Sequence, residues 1–70
     1  MNTKILLSSS TIKGCEYDDV TDNLTIDFRS GNSYVYYNVS PEVFDEFIHA
    51  DSVGSYFNKY IKNSYSSNKV

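Results

Sequence analysis

Cysteine occurs once in this chain of 70 residues, at Cys15, so no disulfide can close within it and the staple of many small domains is excluded. Histidine also occurs once, at His49. A Cys15–His49 pair therefore has no second candidate on either side, and no acid stands at a spacing that would orient it for nucleophilic chemistry. The three glycines are scattered, which excludes a glycine-rich phosphate loop. The longest N-terminal apolar run, Ile5-Leu6-Leu7, is far too short for a signal-peptide core or a membrane span. A soluble, cytoplasmic protein without membrane contact is the expectation. Basic residues are few: six Lys and Arg stand against nine Asp and Glu, a net charge of −3. Such a chain does not grip nucleic acid by bulk electrostatics, because phosphate contacts come mainly from Lys and Arg; any such role must rest on a local patch.

What the chain has is aromatic area. Seven Tyr and four Phe make up 16% of it, and hydrophobic residues reach 40%, a globular composition in which rings supply large buriable surface from few positions. The length allows one core. With no disulfide and no metal cluster, ring packing or self-association must stabilise it. Asp18, Asp19 and Asp22 crowd one segment, but they lack the ligand spacing and late Glu of a calcium loop. They read as a solvated turn, and neither a metal nor a cofactor is expected.

Residues 10–17 alternate loosely and predict a strand, closed by the turn-forming run Asp18 to Asn23. Leu24 to Arg29 alternates strictly, with Leu24, Ile26 and Phe28 on one face. Ser30-Gly31-Asn32 supplies a hairpin turn with a glycine free to take positive φ. A third strand follows over Ser33 to Val39, with Tyr34 and Tyr36 on one face and Val35, Tyr37 and Val39 on the other. Ser40-Pro41-Glu42 combines an N-cap hydroxyl, a proline at the first helical position and an early acid. The helix it opens carries the stripe Val43, Phe44, Phe47 and Ile48, with Glu42, Asp45 and Glu46 outside. Ser52 caps a second helix whose stripe is Val53, Tyr56, Phe57, Tyr60 and Ile61. The predicted fold is α+β: a three-stranded antiparallel meander followed by two C-terminal helices, β-β-β-α-α, with the helices on one face of the sheet.

The order and spacing of Ser9-Ser10, Ile12, Tyr17-Asp18, Leu24, Phe28, Gly31, Tyr34-x-Tyr36, Val39, Val43, Ala50-x-Ser52-x-Gly54, Tyr56-Phe57-Asn58, Ile61 and Tyr65 resemble the KTSC domain. That small domain is named for the C-terminus of certain lysyl-tRNA synthetases and also occurs as a free-standing protein in bacteria and phages. The resemblance divides the chain into an N-terminal extension over 1–8, the KTSC-like domain over 9–65 and a frayed tail over 66–70. Ser40 stands where the family often has proline, and Lys62 where it often has arginine, whose bidentate fork a lysine lacks. The resemblance implies little about function beyond RNA binding, suggested by attachment to a synthetase, an association rather than a mechanism; the lack of a catalytic constellation makes a non-catalytic binding module the expectation.

The candidate ligand-binding residues are Tyr34, Tyr36, Asn58, Lys59, Lys62 and Tyr65. Two tyrosines two apart on a strand project side by side, either as a base-stacking platform or as a roof over the core. Residues 52–70 hold Lys59, Lys62 and Lys69 and no acid, a charge of +3, whereas residues 1–51 sum to −6. The second helix and its tail are thus the expected surface for an anionic ligand such as RNA or a nucleotide, or else an ordinary solvated helix face. Asn58 reads as a ligand contact or as a tether for the chain near Gly54. The rival reading is a module or small phage-type inhibitor that buries the same aromatics against a protein partner or a second copy of itself, a role to which the acidic balance is suited.

Overall fold

The computed structural model describes residues 2–70. Five strands form one antiparallel sheet in sequential order: β1 (Asn2–Leu6), β2 (Ile12–Asp18), β3 (Asn23–Phe28), β4 (Ser33–Tyr36) and β5 (Ser67–Lys69). Between β4 and β5 the chain makes α1 (Pro41–Ile48) and α2 (Val53–Tyr56), and α2 runs directly into a π-helical turn, Phe57–Ile61. The class is α+β as expected, but the meander has five strands rather than three. The two additional strands come from the segments read as an extension and a frayed tail. β1 has no buried residue and β5 is wholly exposed. Edge strands with so little buried surface carry no clear hydrophobic alternation, which is the signal that marks a strand in sequence.

The predicted third strand is also shorter, because Asn38 takes φ 59° and turns the chain after Tyr36. The Tyr37 amide then donates to Ser66 O (3.0 Å) and the Val39 amide to Asp22 O (2.8 Å). α1 begins as its cap requires: the Ser40 hydroxyl accepts from the Val43 amide at 3.3 Å, with Pro41 at the first helical position.

The second helix departs from a regular α-helix at Phe57, where the Lys62 amide donates to Phe57 O, five residues back, at 2.9 Å. The widened turn brings residues four apart into line, so Val53, Phe57 and Ile61 are buried. Tyr60, predicted in the buried stripe, is 52% exposed.

Cys15, Ile26 and Tyr34 stand in register across β2, β3 and β4, as do Tyr17, Leu24 and Tyr36. These rows form the face on which the helices lie, and Ile12, Val39, Phe47, Val53, Phe57 and Ile61 complete the core around them. The opposite face is mainly polar: Asn2 Nδ2 donates to Glu16 (2.9 Å) and Ser33 Oγ to Asp27 (2.6 Å). Gly14 marks a register slip in β2, and a Cβ there would stand 2.6 Å from Ile5 O, so only glycine lets β1 approach. Among the described residues no helix is long and apolar enough to cross a membrane.

Candidate functional site

A groove of about 490 Å³ opens where the helix face of β3 and β4 meets the π-helical turn. Its floor is aromatic. Phe57, held at the widened turn, meets Phe28 edge to face at 5.4 Å and Tyr36 at 5.5 Å, and Phe28 meets Tyr34 at 6.0 Å. Its walls are polar: Asn58, Lys62 and Asn63 from the turn and its exit, Ser30 and Asn32 from the β3–β4 turn, Thr11 from the β1–β2 loop and Ser67 from β5. No Asp or Glu is among the lining residues, in a chain whose acids outnumber its bases. Lys62 lines the groove from the helix side, and Tyr34 pairs with Lys69 across the β4–β5 pair.

Of the residues singled out in sequence, Tyr34, Tyr36, Asn58 and Lys62 line this groove together. Lys59 lies outside it, with its ammonium 6.0 Å from the centre of the Tyr60 ring. Tyr65 is packed against the core, within electrostatic range of Tyr56 rather than in the groove. The two strand tyrosines are not equivalent. Tyr36 is 5% exposed and belongs to the core, where burial raises its pKa, with a further contribution from Tyr34. Tyr34 is half-buried, and of the two it offers the accessible ring. Sequence reasoning missed Phe28 and Phe57 as groove residues, because a ring in a cavity floor obeys the same periodicity as a ring in the core. Thr11 and Asn32 carry no linear signal, since the fold alone brings their loops to the helix.

The remaining reactive side chains are tied up locally. Cys15 is buried and its thiol pKa is pushed up to about 12 by burial, with Asp27 adding to the effect; such a thiol stays protonated and is a poor nucleophile. His49 caps the exposed end of α1, its Nδ1 2.9 Å from Asp45 O. In the acidic turn, Asp18 Oδ1 accepts from the Val20 amide at 2.9 Å, and this bond is the largest influence lowering the Asp18 pKa.

The KTSC domain family model matches residues 8–65. The chain belongs to the KTSC domain family. A KTSC domain protein of Yersinia pestis superposes on it with a TM-score of 0.94 at 30% identity, covering 100% of this chain and 99% of that one. A protein of Tsukamurella paurometabola is 39% identical over 56 residues, 80% of this chain and 84% of its own. The lysine–tRNA ligase of Nostoc punctiforme is 43% identical over 56 residues, but the match spans 80% of this KTSC chain and only 10% of the ligase.

Proposed function

We propose that this KTSC domain is a non-catalytic binding module whose aromatic groove receives RNA or a nucleotide. The observation that carries the reading is the acid-free groove, whose lining joins a half-buried Tyr34 to Asn58 and Lys62, with Lys69 the β5 partner of Tyr34. An aromatic face accepts any base by stacking, amides and hydroxyls meet its polar edges, and lysines meet phosphate. The volume falls within the range of small-molecule sites. The alignment of 56 residues with lysine–tRNA ligases, enzymes named for a tRNA substrate, supports the same direction.

The test is fluorescence anisotropy with labelled single-stranded RNA at low salt. Tyr34→Ala is expected to cost about 1–3 kcal/mol of binding, with the salt dependence unchanged. Lys62→Glu is expected to weaken binding and flatten that dependence by about one phosphate contact. Failure of the wild-type domain to bind overturns the reading.

A protein-binding role has its own observation. Glu42, Asp45 and Glu46 are exposed along α1, and Glu46 accepts from the Tyr56 hydroxyl at 2.8 Å beside the exposed Tyr60. An acidic face edged with tyrosine suits a basic protein. That surface is distinct from the groove, and charge reversal of Asp45 and Glu46 leaves RNA binding intact if the groove is the site.

A further inference from the structure

Half of the six basic residues lie before position 52, scattered among nine acids, and the sequence offers no reason to group them. The fold does. Lys4 from β1, Lys13 from β2 and Arg29 from the β3–β4 turn converge on a second depression of about 340 Å³, with Gly14 and Gly31 in its walls. The β3–β4 turn is the ridge between the two cavities: Ser30 and Asn32 face the aromatic groove, whereas Arg29, Gly31 and Ser33 face the basic one.

Among the described residues no ion pair ties Lys4, Lys13 or Arg29 to an acid. Asp27, the one acid in the lining, already accepts from Ser33 Oγ at 2.6 Å. Glu16 stands opposite Lys4 across the β1–β2 pair, but its Oε2 accepts from Asn2 Nδ2 at 2.9 Å. The Arg29 guanidinium is held in place by donating from Nε to Ser9 O and from Nη2 to Leu7 O. Both acceptors are neutral carbonyls, so the full charge persists and N–H groups remain free for an oxyanion. Three cations against the single carboxylate of Asp27 leave the lining net positive, a field that favours an anionic ligand.

We propose that this depression is a phosphate subsite for single-stranded nucleic acid. A strand with one base in the aromatic groove crosses the β3–β4 turn and lays its backbone phosphates between Lys4, Lys13 and Arg29. The inference rests on the nucleic-acid reading of the aromatic groove and extends it from a single nucleotide to a strand with a defined path. Lysine and arginine neutralise phosphates without reading sequence, so the basic subsite adds affinity with length and leaves any base preference to the groove.

The experiment compares uridine monophosphate with a uridine hexanucleotide, by titration of the whole domain at several salt concentrations. Lys4 and Lys13 are exposed, so Lys4→Glu with Lys13→Glu is expected to preserve the circular dichroism spectrum and thermal transition. Lys4→Gln with Lys13→Gln provides a milder second variant. The expected result is mononucleotide binding unchanged and hexanucleotide binding weakened on the order of tenfold or more in the charge-reversed pair, with its salt slope reduced by roughly two phosphate contacts. Hexanucleotide binding and salt slope equal to wild type in both variants, with Tyr34→Ala still damaging, overturn the subsite and leave the groove reading standing. Equal weakening toward both probes also overturns it, because a general field then explains the effect. Binding of neither probe by the wild-type domain overturns both.

Discussion

Tyr17 shows how much one side chain can join in a domain without a disulfide. It is buried on β2, its ring stacks on Phe44 at 4.4 Å with the planes 9° apart, and its hydroxyl lies 2.6 Å from Val39 O and 3.1 Å from Asp22 Oδ1. One residue thus ties the sheet to α1, to the chain entering that helix and to the acidic turn. Its place on a strand could be read from sequence, but its partners could not, because they lie 5 and 22 positions away and a linear pattern does not say which distant segments meet. Removing the hydroxyl leaves a buried carbonyl without its donor, so Tyr17→Phe is expected to cost about 1–3 kcal/mol at neutral pH, read from urea unfolding. The same environment raises the Tyr17 pKa from 10.0 to about 12, through burial first and the Asp22 hydrogen bond second. A phenol whose pKa is raised by folding stabilises the native state fully below pH 10 and loses that contribution as pH rises toward 12. Wild-type stability should therefore fall over this interval and fall less steeply in Tyr17→Phe. Some slope remains in the variant, since the Tyr56 pKa is also raised to about 12, by burial and then by Glu46. Equal slopes in the two proteins would show that Tyr17 titrates as it does in the unfolded chain.

At the scale of elements, legibility followed burial. β2, β3 and α1 announced themselves because each hides one face, and alternation or helical spacing records which residues are hidden. β1 and β5 contain no fully buried residue, so their existence depends on partners that only the folded sheet supplies. The π-helical turn is equally silent, because Val53, Phe57 and Ile61 fit an ordinary amphipathic helix until a backbone bond spans five residues. β5 is the element on which the sequence reading was furthest from the structure, and it is testable. Its bonds to β4 include Val70 N to Ser33 O at 2.9 Å, Ser66 O receives the Tyr37 amide at 3.0 Å, and Asn68 Nδ2 donates to the Tyr37 hydroxyl at 3.0 Å. Each such bond contributes about 0.5–1.5 kcal/mol net. Truncation after Tyr65 is expected to leave a folded domain of lower stability, with the Tyr37 amide exchanging faster in hydrogen-exchange NMR. A free tail would leave that amide unchanged on truncation. Ser67 leaves the groove lining as well, so on the proposed RNA reading the truncated domain should bind RNA more weakly.

Across the whole molecule, core and groove share residues. The linear pattern named four groove residues, Tyr34, Tyr36, Asn58 and Lys62, because an aromatic pair and a basic helix can be seen in sequence. Lys59 and Tyr65, singled out with them, stand outside the groove, Lys59 beside the Tyr60 ring and Tyr65 against the core. Phe57 belongs to both core and groove: it is 5% exposed, it meets both Phe28 and Tyr36 edge to face, and it lines the groove. Phe57→Ala removes the ring that joins helix to sheet, at about 3–5 kcal/mol for a core aromatic. A domain of 70 residues has a total stability on the order of 5 kcal/mol, and each kcal/mol moves its Tm by roughly 4–8 °C. Calorimetry is therefore expected to show either no cooperative transition or one lowered by at least about 12 °C, with binding lost because the fold is lost. Tyr34→Ala is the contrasting variant. Its ring is only half-buried and contacts Phe28 at the margin, so its Tm should move less than that of Phe57→Ala, while on the proposed reading its affinity for RNA falls. If Phe57→Ala melts like wild type, the helix does not depend on this ring, and the groove floor is formed by the sheet alone.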